Sequence, residues 1–106
     1  PEVLLARKAI ANRYDKGLAD LVGLPKERLV YQDYIIRLPQ RDALKSYLEK
    51  EGIETMSNEY SFPYFYEKGP KTIRYEKETL RLPCNETLTD LQIDYVIEKI
   101  RKFFAQ

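Results

Sequence analysis

Val30-Tyr31-Gln32-Asp33-Tyr34-Ile35-Ile36-Arg37-Leu38 is the stretch whose reading decides the fold. It is mostly β-branched and aromatic, which predicts a strand buried on at least one face. Pro39 closes it, because proline cannot donate to a continuing ladder. On such a strand Tyr34, Ile36 and Leu38 share one side, and Asp33, Ile35 and Arg37 share the other. Asp33 and Arg37 on that second side read as a same-face ion pair. Alternatively, arginine's two-pronged guanidinium makes a clamp for a carboxylate or phosphate.

Working outward, Val3, Ala6, Ile10, Tyr14, Leu18 and Leu21 recur at three- and four-residue steps, the stripe of an amphipathic helix between residues 2 and 22. Gly17 weakens its last turns, and Gly23 with Pro25 stops it. Starting at Pro1 and straight into a helix, the chain reads as a piece of something longer. Beyond the strand, residues 40–51 make a second helix with Leu44, Tyr47 and Leu48 inward. Gly52 stands where a left-handed residue is wanted, and Ile53 is placed to touch Leu48. Ile53 to Met56 reads as a short strand, and Thr79 to Leu82 as an edge or returning strand ended by Pro83.

The last segment carries the clearest local signal. Thr89 with Gln92 is a capping box, and Leu88 with Ile93 a hydrophobic staple. Ile93, Val96, Ile97, Ile100, Phe103 and Phe104 continue as an apolar stripe. Helix, strand, helix, strand, loop, strand and helix, without repeat or linker, give one α+β domain over residues 1–106. It is a small mixed or antiparallel sheet packed by helices on one face.

Composition narrows the function. The 106 residues hold 18 Lys+Arg against 17 Asp+Glu, so no long-range field draws in nucleic acid or an anionic membrane. No 18-residue apolar run is present, so no membrane span is expected. Lys68, Lys71, Arg74 and Lys77 beside Tyr64, Tyr66 and Tyr75 could build a basic aromatic face, but the interleaved acids argue against a nucleic-acid partner. Histidine is absent, which removes the commonest general base and metal ligand and any Ser-His or Cys-His pair within the chain. The lone Cys84 allows no internal disulfide, fits a reducing, cytoplasmic setting, and reads as a buried inert thiol. The four glycines are scattered, so no phosphate-cradling loop exists. Tyr60, Phe62, Tyr64, Phe65 and Tyr66 crowd around Pro63, an aromatic loop able to pack over a core or line a pocket.

Several phrases in order resemble one family. They are Ala6-Arg7-Lys8-Ala9-Ile10-Ala11-Asn12-Arg13-Tyr14 with Leu18, and Tyr31-x-x-Tyr34-Ile35-Ile36-Arg37. Then come Arg41-Asp42-Ala43-Leu44 with Leu48, Gly52-Ile53-Glu54-Thr55, Leu80-Arg81-Leu82-Pro83 and Leu88-Thr89-x-x-Gln92-Ile93. Across almost the whole chain this resembles the C-terminal small domain of the DegT/DnrJ/StrS family of sugar-nucleotide aminotransferases.

The resemblance implies the small domain of a fold-type-I enzyme that uses pyridoxal 5'-phosphate to move an amino group, commonly from glutamate, onto a nucleotide-linked keto-sugar. It also implies a homodimer. In that family the Schiff-base lysine belongs to the large domain, supplied by the same or a separate chain, so this segment alone would be inactive. No catalytic or cofactor-binding residue is therefore assigned here. The family's His-Tyr-x-x-Pro-x-His pattern corresponds to Glu59-Tyr60-Ser61-Phe62-Pro63-Tyr64-Phe65, with Glu59 and Phe65 in place of both histidines, and the connection onward to Pro83 is short. Both departures put the usual substrate in question. The residues expected nearest the substrate are Tyr31, Tyr34 and Tyr60 as aromatic walls, Arg37 for a carboxylate or phosphate, and Glu59 for hydroxyl groups. A reading of another class is a free-standing binding or assembly module, including the small subunit of a split enzyme.

Overall fold

The structure is a computed structural model that describes residues 2–25, 33–57 and 77–106. Its elements run α1 (Glu2–Leu18), β1 (Tyr34–Arg37), α2 (Arg41–Lys50), β2 (Thr79–Leu82) and α3 (Asp90–Ala105). β1 and β2 pair antiparallel, with Tyr34 opposite Leu82 and Ile36 opposite Leu80. One more row flanks the pair on each side. Gly23 exchanges both backbone bonds with Arg37, at 2.7 and 2.8 Å, and Met56 exchanges both with Arg81, at 3.1 and 2.8 Å.

Alternation along the two strands sorts their side chains as the sequence predicts. Tyr34, Ile36, Leu38, Leu80 and Leu82 join one core with Ile10, Ala11, Tyr14 and Leu18 of α1, Leu44 and Leu48 of α2, and Ile93, Val96 and Ile100 of α3. The helices thus cover one face of the antiparallel ladder, an α+β arrangement. Ile35 is equally buried but lies outside that cluster, on the ladder's second face.

Helix ends follow their local chemistry. Gly52 has φ of +82°, its N–H reaches Glu49 O at 3.1 Å, and the Ile53 N–H reaches Leu48 O at 2.9 Å. This double closure is the Schellman motif, and only glycine adopts its left-handed turn without strain. At α3 the Gln92 N–H donates to Thr89 Oγ1 at 3.2 Å and the Thr89 N–H to Gln92 Oε1 at 2.8 Å, the reciprocal capping box. Gly17 stays inside α1, because α3 crosses there. A Cβ at that position would lie 2.7 Å from Ile97 Cγ2.

Three expectations change. Ile53 to Met56 is not a strand; only Met56 bridges β2, since the Ile53 N–H is already committed to closing α2. The α1 stripe does not extend to the first turn, where Val3, Leu4 and Leu5 are exposed; the residues buried on α1 are Ile10, Ala11, Tyr14 and Leu18. Asp33 and Arg37 do not pair with one another. Each instead meets an opposite charge from the β2 segment, Asp33 with Arg81 and Arg37 with Glu78. Val30–Gln32 and the aromatic loop with its basic neighbours Lys68, Lys71 and Arg74 lie outside the described residues.

Ion pairs line the seam between α1 and the α3 segment. Arg7 meets Glu86 at 2.9 Å. Arg13 grips Asp94 with two bonds of 2.8 Å, and Arg101 holds both Asp20 and Gly17 O.

Candidate functional site

The second face of the ladder is where charged side chains of β1 and β2 converge. It carries Asp33 and Arg37 from the first strand segment, and Glu78, Thr79 and Arg81 from the second. Arg37 Nε donates to Glu78 Oε1 at 2.9 Å, with both side chains largely shielded. Arg41, in the first turn of α2, donates from Nη1 to Thr79 O at 2.9 Å and ties that helix to the start of β2. Arg81 sends Nη1 towards Asp33 at 3.2 Å and Nη2 to the Met56 thioether at 2.9 Å. Its Nε is buried with no partner among the described residues, as is Thr79 Oγ1. Buried donors left open in this way cost roughly 1–3 kcal/mol each, so the face is polar beyond what its own pairs satisfy.

The predicted residues separate. Tyr34 points to the core side: it is fully buried, its ring stacks on Tyr14 at 4.5 Å, and its hydroxyl donates to Asp15 Oδ1 at 2.6 Å. Tyr14 in turn donates to Pro83 O at 2.7 Å. Burial, aided by the neighbouring Cys84 thiol, pushes the Tyr14 phenol well above its ordinary range, so it remains a neutral donor. Arg37 stands on the second face. Tyr31, Glu59 and Tyr60 lie outside the described residues. Arg81 is the residue that the sequence reading passed over. Its signal was present in the alternation of Leu80-Arg81-Leu82, which places it on the same side as Arg37 once the two strands are paired.

A separate apolar groove of about 710 Å³ runs between the end of α2, the Pro83 turn and the first half of α3, walled by Ile53, Leu88, Leu91, Tyr95 and Val96. Tyr95, one of its walls, donates to Glu51 O at 2.9 Å. No cluster of metal-ligating side chains occurs among the described residues. Nor is any helix there long and apolar enough to cross a membrane.

Comparison with known proteins agrees with this architecture. The chain is 35% identical over 105 residues to a pleiotropic regulatory protein of Geobacillus stearothermophilus, covering 85% of this chain and 28% of that protein. Its fold superimposes on the aminotransferase TlmJ from Streptoalloteichus hindustanus with a TM-score of 0.82 at 30% identity, covering 99% of this chain and 32% of TlmJ. It superimposes on S. venezuelae DesV, solved with a ketimine intermediate, with a TM-score of 0.81 at 27% identity, covering 98% of this chain and 32% of DesV. The chain thus spans about a third of the length of these relatives. The profile of the DegT/DnrJ/EryC1/StrS aminotransferase family matches residues 1–101, and the chain belongs to that family.

Proposed function

We propose that residues 1–106 form the small C-terminal domain of a pyridoxal-phosphate-dependent aminotransferase that acts on a nucleotide-linked keto-sugar. The observation that carries this reading is the family match over nearly the whole chain, combined with coverage of only about a third of each relative. In this reading the reactive lysine and the phosphate-holding groups lie on a large domain, in the same or a separate polypeptide. Among the described lysines, Lys8, Lys16, Lys50, Lys77 and Lys102 are exposed, while Lys45 and Lys99 are paired with Glu49 and Glu51.

The second face of the ladder, with Arg37, is the side we assign to the substrate cleft. Arg37 serves a carboxylate or phosphate there, with Tyr31 and Tyr60 as walls and Glu59 accepting from hydroxyl groups. Tyr34 acts from behind, holding β1 against α1 through Tyr14 and Asp15. The amino donor, glutamate in the simplest case, and a homodimeric, cytoplasmic enzyme complete the proposal.

The intact mass and absorbance of the protein from its native source test it. A polypeptide several times heavier than 12.6 kDa, or a complex of that size, absorbing at about 415 nm as an internal aldimine does, is the expected result. In that enzyme Arg37→Gln raises KM for the amino donor or the nucleotide sugar; unchanged values for both remove the role given to Arg37. A second reading, a non-catalytic binding or assembly module, is favoured by the regulatory name of the Geobacillus relative. A native mass near 12.6 kDa without a chromophore would select it.

A further inference from the structure

We propose that the Nε–Nη2 edge of Arg81 is a seat for one oxyanion, a carboxylate or a phosphate, and that the Met56 side chain is its displaceable cover. The inference deepens the assignment of the ladder's second face to the substrate cleft and rests on it. A guanidinium presents Nε–H and one Nη–H in parallel along a single edge, a geometry matched by two oxygens of a carboxylate or phosphate. Among the described residues, no oxygen partners that edge of Arg81. Nη2 meets only the Met56 sulfur at 2.9 Å, and Nε is buried without a partner among the described residues. A thioether is a weak acceptor, and it leaves a cationic donor pair poorly served.

The rest of Arg81 is firmly held. Nη1 lies 3.2 Å from Asp33, the side chain is 14% exposed, and its backbone is bonded to Met56. Asp33 therefore fixes the plane of the guanidinium while leaving the opposite edge open. Met56 is the reverse: it is 55% exposed, unbranched and attached at the outer row of the ladder, so its side chain can swing away without disturbing the core. In Arg37 the corresponding Nε donor is already taken by Glu78.

The test is calorimetric titration of the full-length protein with inorganic phosphate and, separately, with acetate at constant ionic strength. Saturable binding of at least one anion is expected. Arg81→Gln should abolish it, and Arg81→Lys should weaken it by about tenfold or more, because a point charge cannot engage two oxygens at once. Met56→Ala should keep or tighten it, and Lys102→Gln, on the exposed side of α3, should leave it unchanged. Binding confined to phosphate assigns the seat to a phosphoryl group, and binding confined to acetate assigns it to a carboxylate. No binding by the wild-type protein overturns the proposal, as do unaltered affinity in Arg81→Gln or weaker binding in Met56→Ala. Should Arg81→Gln fail to fold, the Arg81→Lys and Met56→Ala arms still decide. The readout is binding rather than turnover, so loss of the aminotransferase reading through mass and absorbance would register separately.

Discussion

The two faces of the β1–β2 ladder are built by the same short strands, yet they are finished to different standards. On the helix side, Tyr34, Ile36, Leu80 and Leu82 are apolar or fully bonded and almost completely buried. On the other side, Ile35 is buried, Arg37 and Arg81 are paired, and two polar atoms, Thr79 Oγ1 and Arg81 Nε, have no partner among the described residues. A face made only for stability would close such donors or replace them with apolar groups. The contrast fits the proposal that one side of the ribbon serves stability and the other recognition. It also predicts that substitutions on the two sides will act with opposite signs.

The largest effect belongs to the helix side. Leu80 is fully buried in the core cluster to which all three helices contribute, so Leu80→Ala should cost about 2–5 kcal/mol, seen as a lower urea midpoint with an unchanged slope. Tyr14→Phe comes next. It keeps the ring stack on Tyr34 but deprives Pro83 O of its donor, at a cost of about 1–2 kcal/mol near neutral pH. This variant also has a signature in alkali. The folded chain holds the Tyr14 phenol neutral, whereas the unfolded chain releases its proton near the ordinary pKa of 10.0. The folded state then binds more protons, so this contribution is complete below about pH 10 and is lost as pH rises further. Tyr14→Phe lacks that loss, and the gap between the variant and the wild-type protein should narrow as the solution becomes alkaline.

The second face should respond in the other direction. Thr79→Val keeps the size and branching of a buried residue while removing the hydroxyl that lacks a partner. It should stabilise the chain by about 1 kcal/mol. Destabilisation of that size would mean that the hydroxyl is satisfied after all, and the two faces would no longer differ as described.

How much of this contrast could be read in advance depends on the range of the interactions. Gly52 and the Thr89–Gln92 box were legible because their bonds close within one turn, from residues adjacent in the chain. The core side of β1 was legible because alternation fixes which residues share a face. The charge partners were not, because strand register decides them: Asp33 finds Arg81, 48 positions away, only after β1 and β2 have paired. The sulfur contact of Arg81 depends on a further pairing, between Met56 and β2. Ile53 to Met56 misled for a related reason. Its composition suits a strand, but a helix-closing bond had already claimed the Ile53 N–H.

The smallest effect lies furthest from the ladder, in the ion pairs along the seam of α1 and α3. The hydrogen bond from Arg13 holds the Asp94 carboxyl below its ordinary range, and the bond from Arg101 does the same for Asp20. Glu86 is held down first by its own backbone N–H and then by Arg7. Each contributes stability that is present above the ordinary carboxylate range and is lost as pH falls through the lowered value. All three are solvent-exposed, so the acid limb of a stability profile should drop only slightly because of them, and less still in concentrated salt. Asp94→Asn should flatten that limb by a small amount without changing the neutral plateau as Leu80→Ala does. If Asp94→Asn instead lowered the plateau as far as Leu80→Ala, the helical side would owe its stability to charge rather than to the packed core. The division between the two faces of the ladder would then have to be redrawn.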